Sequence, residues 1–339
     1  MTSTPVDGQD IDPRVRAALE GLPTDFANFA RTYQDHIRPG LLEKEGERQR
    51  LAARSRQFMI YAIVAGVAAL GMGAVFQSQA AVAIGLIGAV AVYGFGRWPL
   101  DQFAKTSKLL LVEPVAREFG LTYAADCGPQ TDVERFRELR LLPSWDRSAF
   151  EDRLEGERSG VNFSFFEAHL EEKRTTRSSN GATQTRWVTV FRGQCVRFDF
   201  HKRFLGRTLV ARDMGLFNAL GGLGSEMKRA RLESPDFEKA FEVYTTDQVE
   251  ARFLLTPDVM QRFVDLEAVF HGGKLRCCFD GGELFVAVEG GNLFEPGSMF
   301  IPLDNPERMR ELLDDFGAIF RLMDDLGPRA RSITSQPMT

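Results

Sequence analysis

Cysteine is scarce, with four residues among 339 and no paired spacing among them. That excludes a disulfide-dense secreted scaffold and a zinc ribbon. His36, His169, His201 and His271 are scattered without metal-ligand spacing, so no zinc or haem motif is in view. An excess of basic charge is also missing. The 42 Lys and Arg stand against 47 Asp and Glu, for a formal net charge of -5, which argues against a nucleic-acid-coating surface. Gly221, Gly222, Gly224 and Ser225, with Lys228 beyond them, have neither the Walker nor the dinucleotide spacing and read as a loop. The first residues carry no apolar stretch of the kind a secretory signal needs. What is present is a folding chain, 44% hydrophobic and 26% charged, long enough for one large or two ordinary domains.

Charge is absent altogether from two runs. Phe58–Phe76 holds nineteen uncharged residues, and after Gln77, Ser78 and Gln79 a second uncharged run extends from Ala80 to Gly96. At about 1.5 Å per residue, the first run covers the roughly 30 Å of a hydrocarbon core. The second reaches that length with Arg97 snorkelling and Trp98 at the interface. Lipid offers backbone groups no partners, so each run must be helical and the three polar residues form the turn. The unit reads as a transmembrane helical hairpin. Its alternative, a hairpin buried in a soluble protein, predicts polar residues along its edges.

Arg38, Lys44, Arg48, Arg50, Arg54 and Arg56 precede the hairpin, Arg97, Lys105 and Lys108 follow it, and the turn has no charge. Bases stay on the cytoplasmic side, so both termini are expected in the cytoplasm. Ala62, Gly66, Ala69 and Gly73 on one helix and Ala81, Gly85 and Ala89 on the other recur at three- or four-residue spacing. Such small faces fit packing within the hairpin, or self-association. No ionisable residue lies inside either run, which argues against a channel or transporter.

Before the hairpin, Phe26, Phe29, Ala30, Tyr33 and Ile37 have helical spacing, Pro39 and Gly40 interrupt, and a charged helix runs from Leu41 into the first span. After it, Lys105–Phe119 is helical in pattern and Gly120 ends it. The period then becomes two. Val196 and Phe198 alternate with Arg197 and Asp199, and Leu284, Val286 and Val288 repeat the pattern, predicting half-buried strands. Val161–Leu170 and Trp187–Cys195 are further strands, and Glu171–Gln184 between them reads as a mobile hairpin loop. Asp280 and Gly281 predict a tight hairpin. A last helix opens with Asn305 as cap and Pro306 in first position, and carries an apolar stripe from Met309 to Leu326. These elements predict an α+β fold: the hairpin, then a mainly antiparallel sheet domain with flanking helices and a C-terminal packing helix. The expected division is 1–56 for the N-terminal tail and helices, 57–98 for the hairpin, 99–330 for the cytoplasmic domain, and 331–339 for a flexible tail.

Leu142, Pro143, Ser144, Trp145 and Asp146, then Glu151, Asp152 and Gly156, Phe163–Leu170 with Glu167 inside, and Thr189–Gly193 form one set of motifs. Phe237–Tyr244, Asp247, Glu250, Arg252 and Leu255–Pro257 form another. Together they resemble the bacterial domain-of-unknown-function family 3137, over roughly Phe26 to Leu326. The resemblance implies a two-span membrane protein with a cytoplasmic domain. It implies no reaction and no catalytic residue.

Candidate chemistry is thin. Cys277 and Cys278 are adjacent in a strand and so face opposite ways, while Cys195 could meet His201 only if the fold bends. Asp146, Glu151, Asp152 and Glu155 are dense in a loop-to-helix region, where paired acids bind cations, act as acid and base, or cap helices. Glu250 and Arg252 share a strand face if extended. Charge polarity says more. Residues 147–231 carry 16 Lys and Arg against 10 Asp and Glu, net +6, and 232–326 carry 8 against 20, net -12. Lys173, Arg174, Arg177, Lys202, Arg203 and Arg207 stand near expected loops and are the candidate contacts to anionic lipid or a partner protein. The alternative is that these bases solvate loops and pair with the acidic half. The leading expectation is a membrane-tethered, non-enzymatic protein with a protein or lipid partner, no nucleic acid and no cofactor. Its rival is an anchored enzyme using the acids near Asp152 or the Cys195 region. A deep pocket joining those groups would favour the enzyme, and a filled core with a charged face the binding module.

Overall fold

A computed structural model describes residues 11–26, 29–127, 131–177, 183–199, 204–212, 226–269 and 274–326. The chain divides into two compact units, Met1–Val115 with Phe294–Asp315, and Ala116–Leu293 with Phe316–Thr339.

The first unit is built on long helices. Helix α1 (Pro13–Ala18) begins where the Asp12 side chain accepts from the Arg14 N–H. Helix α2 (Phe29–Thr32) passes through a π-helical turn at Tyr33–Ile37 straight into α3 (Arg38–Phe76). Pro39 and Gly40 therefore do not break the chain as expected. The wider π turn lies just where the Pro39 ring would press on the preceding turn, and the helix resumes in α geometry. Gln77, at φ 48°, reverses the chain, and α4 (Gln79–Glu118) returns. Lys105–Phe119 is thus no separate helix: α4 continues through Pro99 and Pro114.

Small residues set how closely α3 and α4 pack. A Cβ on Gly85 would lie 2.3 Å from the Ala69 Cβ, and one on Gly73 would lie 1.9 Å from a Val82 methyl. The small face is therefore used inside the hairpin, where backbones approach closely. The opposite surface is apolar and open: large hydrophobic residues from Met59 to Trp98 are 38 to 77% exposed. Both helices are long and apolar enough to cross a membrane.

The second unit is a nine-stranded antiparallel sheet in the order β1-β2-β3-β4-β9-β8-β5-β7-β6. The strands are β1 (Thr122–Asp126), β2 (Arg147–Arg158), β3 (Val161–Arg177), β4 (Thr183–Asp199), β5 (Thr208–Ala211), β6 (Lys228–Ala230), β7 (Glu242–Thr245), β8 (Leu275–Asp280) and β9 (Glu283–Glu289). Helices α5 (Thr131–Glu138), α6 (Pro235–Ala240), α7 (Gln248–Leu254) and α8 (Pro257–Val269) accompany it, and α9 (Pro306–Leu326) closes the chain. The α+β fold is the expected one. The β8–β9 hairpin turns at Gly281 and Gly282, both at positive φ, and Asn305 caps α9 by accepting from the Glu307 N–H. Gly327 and Pro328, expected to stop α9, lie outside the described residues.

Four local expectations change. Within the expected loop Glu171–Gln184, residues 171–177 and 183–184 are strand, because β3 and β4 stay paired out to Arg177 opposite Thr183, and residues 178–182 lie outside the described residues. Glu151, Asp152 and Glu155 lie on β2 rather than in a loop-to-helix region. Glu250 and Arg252 are on α7, which starts because Asp247 accepts from the N–H groups of Val249 and Glu250. Finally, Leu284–Val288 is buried on both faces rather than one. Phe136 on α5 meets Phe166 and Phe285 edge-on on one face of the sheet, with ring centroids 5.6 and 5.3 Å away. Phe163, Phe198 and Met323 line a hollow with Arg158 and Val161, so the α9 end packs where the opposite side chains of β3 and β4 project.

Candidate functional site

Beyond Glu171 the β3–β4 pair leaves the sheet. Strand β2 ends its pairing with β3 at Arg147 opposite Glu171, and β9 begins pairing with β4 only at Gly193. Between these limits β3 and β4 form a two-stranded ribbon, with an irregularity at its root between Leu170 and Glu171. Cross-strand pairs sort its side chains by face. Lys173 opposes Trp187, Thr175 opposes Thr185, and Arg177 opposes Thr183 on one face. Arg174 opposes Arg186 on the other.

The first face has an anchored root. Arg147 stacks over the half-exposed Trp187 ring at 4.3 Å and pairs with Glu171, whose carboxyl is held below its usual range chiefly by that hydrogen bond. The Asp146 carboxylate accepts from the Lys173 N–H at 2.7 Å. Among the described residues, Lys173, Arg177 and Arg186 have no ion-pair partner, and all three are exposed. Arg174 pairs with Glu172 at 2.9 Å. The result is an exposed strand ribbon that carries the Trp187 indole with Lys173, Arg174, Arg177 and Arg186, the first three from the expected set, and has Arg147 of β2 stacked at its root.

The remaining expected contacts are placed differently. Arg207 donates to Asp280 at 2.9 Å, and Asp280 is shared with Arg135, so Arg207 ties the root of β5 to the β8–β9 turn. That pairing raises the Arg207 pKa, through the Asp280 hydrogen bond first. Lys202 and Arg203 lie outside the described residues, as do His201, His271 and the Gly221–Ser225 stretch. Other bases of the positive half meet acids of the negative half: Arg197 with Glu283, Arg229 with Glu242, and Arg158 with Asp324. The two halves interleave in one sheet, and the ribbon bases are not drawn into this pairing.

Of the residues of the enzyme reading, Asp152 and Cys195 are buried, whereas Asp146 and Glu151 are exposed and Glu155 is half-buried. Asp152 sits in a register irregularity of β2 at φ 59°, fully covered, and accepts from the Tyr123 hydroxyl at 2.6 Å. Burial, then the Asp152 charge, pushes the Tyr123 pKa upward. The same two causes push Cys127 to about 11. Cys195 is fully buried among Phe166, Phe136 and Phe285, and burial raises its pKa well above the usual thiol value. Cys277 and Cys278 face opposite sides of β8 as expected, and burial pushes Cys278 to about 12. These thiols remain protonated at neutral pH and are poor nucleophiles.

Glu167 and Gln194, neighbours across β3 and β4, hold the chain segment after β9. Glu167 accepts from the Leu293 N–H and Gln194 donates to the Gly291 carbonyl, each at 2.6 Å. Their adjacent strand positions, Phe166 and Cys195, project to the other face, so the sheet separates the Cys195 thiol from this polar pair. Among the described residues no group of three His, Cys, Asp or Glu could hold a metal ion. The hollow bounded by Arg158 and Met323 has no room for a water-sized sphere. Sequence reasoning missed Trp187, Arg147 and Arg186 as parts of the ribbon. The alternation of Lys173, Thr175 and Arg177 opposite Thr183, Thr185 and Trp187 was the available signal.

Fold and site define an α+β sheet domain with a protruding basic ribbon, carried on a chain that also forms a hairpin of two long apolar helices. Residues 189–327 match the family described as "Protein of unknown function (DUF3137)", the family that the motifs resemble. The match includes the Phe237–Pro257 motifs and not those between Leu142 and Leu170. No curated protein matches the chain. Among solved structures, the chain is similar to the crystal structure of the mycobacterial trehalose monomycolate transport factor A, TtfA. Identity is 8% and the TM-score 0.33, with 63% of this chain and 95% of that chain covered.

Proposed function

We propose that the protein is a membrane-tethered, non-enzymatic binding protein. The α3–α4 hairpin is embedded in the bacterial inner membrane with both termini in the cytoplasm, and the sheet domain engages the anionic lipid surface through its basic ribbon. The observation that carries this reading is the belt of large apolar side chains on α3 and α4, 38 to 77% exposed from Met59 to Trp98. In water such a surface would drive association, whereas in a bilayer it is solvated by lipid. The bases that flank both helices, and the uncharged turn between them, support the orientation.

Lys173, Arg174 and Arg177 suit the lipid surface because an anionic leaflet attracts each nearby base by about 1 kcal/mol. Trp187 adds an amphipathic ring of the type that favours the headgroup zone. The test uses the full chain in phosphatidylglycerol vesicles, with a spin label at Thr175→Cys and a paramagnetic chelate on the headgroups. The expected result is broadening of the label signal that fades with added salt and drops several-fold in Lys173→Gln/Arg174→Gln/Arg177→Gln. An unbroadened signal at low salt contradicts lipid contact.

One feature favours a second reading, a protein partner. Among the described residues, ribbon positions 172–177 of β3 and 183–191 of β4 have no outer strand neighbour. Such open edges accept an added strand, and the bases beside them would select an acidic segment.

A further inference from the structure

The strongest unexplained feature lies in the first unit, in the loop between Phe294 and Asn305. Its backbone is held by two buried arginines. Arg308, 7% exposed, donates to the carbonyls of Pro296, Ser298, Ile301 and Pro302, the last two at 2.8 and 2.9 Å. Arg48, 5% exposed, donates to the Met299 carbonyl at 2.7 Å and is gripped by Glu45. Glu45 also accepts from the Leu303 N–H at 3.1 Å. Met299 and Leu303 are buried beneath the loop.

A loop fixed this firmly would be expected to show polar side chains to water. It instead leaves Ile301 43% exposed and Phe300 half-exposed. The Phe300 ring lies 5.3 Å from the Arg56 guanidinium of α3 and 5.9 Å from that of Arg97 of α4. Those arginines stand just outside the uncharged runs Phe58–Phe76 and Ala80–Gly96. Trp98, the next residue, is 65% exposed. An aromatic ring held between two bases, at the end of a continuous apolar belt and level in sequence with an exposed indole, has the composition of a bilayer interface.

We propose that the Pro296–Pro302 loop is a third membrane-contacting element, which lays Phe300 and Ile301 into the headgroup zone of an anionic bilayer while Arg56 engages lipid phosphates and Arg97, paired with Asp101, flanks the Phe300 ring. The proposal rests on the membrane reading of the hairpin. The loop begins 200 residues beyond Gly96, the end of the second uncharged run, so the C-terminal part of the protein also reads the membrane surface. Arg48 and Arg308 act as positioning residues: they touch the loop backbone, not the lipid.

The test is depth-resolved quenching in the full chain, reconstituted in phosphatidylglycerol and phosphatidylethanolamine vesicles whose acyl chains carry bromine near the headgroup or deep in the core. In one protein Trp145 and Trp187 are replaced by Phe, leaving Trp98 as the reporter. In two others all three are replaced, and Phe300→Trp or Ile301→Trp supplies the indole. Far-ultraviolet circular dichroism verifies folding, and having two positions guards against one substitution failing to fold. The expected result is shallow-bromine quenching of the introduced indole within about twofold of the Trp98 signal, with weaker quenching from deep bromine. Quenching of Trp98 without quenching at either introduced position overturns the loop proposal alone. So does emission at both introduced positions that changes with protein-to-lipid ratio but not with bromine, since a second copy would then cover the loop. Absence of quenching at all three positions overturns the loop proposal together with the membrane reading.

Discussion

Arg308 shows how one residue can organise a segment far from it in the chain. Its guanidinium meets four backbone carbonyls and, among the described residues, no carboxylate at hydrogen-bond distance, and burial, the largest influence, lowers its pKa. Hydrogen bonds to a charged donor contribute about 1.5–3 kcal/mol each, and orphaned carbonyls cost more than absent ones. Arg308→Met should therefore destabilise the first unit by about 3 kcal/mol, read as a lower thermal midpoint in detergent and faster proteolysis within 296–302. Glu45 supplies a pH signature. Its carboxyl is lowered from 4.5 to about 2, first by the Arg48 hydrogen bond and then by the Leu303 N–H, against opposing burial. A depressed acid contributes stability that is fully present above its unfolded value and lost as pH falls. The loss should run from about 4.5 down to about 2. Glu45→Gln should lower stability at pH 7 and flatten that part of the acid-denaturation profile. An unchanged profile in Glu45→Gln would mean that another group governs it.

At the scale of elements, legibility depended on whether burial left a trace in the residue pattern. The hairpin helices were legible because nineteen successive uncharged residues have few alternative explanations. The β8–β9 turn was legible because Gly281 and Gly282 meet the backbone demand of a two-residue connection. The ribbon was not, since both of its faces are exposed and the apolar alternation that marks a strand is absent from Lys173, Arg174, Thr175, Thr176 and Arg177. Helix α7 was not legible because it is only seven residues long, and its Asp247 cap is the feature that marks it. Close packing of α3 on α4 yields a prediction at this scale. Gly85→Val must move Ala69, 2.3 Å from the new Cβ, and overpacking of this kind costs about 1–3 kcal/mol. The expected outcome is a wider spacing between labels on the two helices and a lower thermal midpoint in detergent. The same spacing with unaltered stability would show that the small face does not hold the hairpin.

For the whole molecule, the sequence pattern reached the α+β class and the apolar hairpin but not the return of Phe294–Asp315 to the unit that contains it. Arg48 and Met299 are 251 positions apart, and no local period reports so distant a contact. The candidate site was legible only as charge: net +6 over 147–231 is visible, while the pairing of Arg197 and Arg229 with the acidic half is a product of strand order, and that of Arg158 with Asp324 of the packing of α9. That pairing leaves Lys173 and Arg177 as the bases to test, and screening over a Debye length of about 8 Å at physiological salt gives their contact its expected salt dependence. Asp152 and Cys195 are both fully covered, while Asp146 and Glu151 of the same acidic cluster stay exposed.

The central claim is that α3 and α4 cross the membrane with the sheet domain left in the cytoplasm. Topology reporters fused to the full chain test it most directly. A cytoplasm-active reporter after Thr339 and an export-dependent reporter inserted at Ser78, in the turn between the helices, should both be active. An export-dependent reporter active after Thr339, or a cytoplasm-active one working at Ser78, would contradict the account.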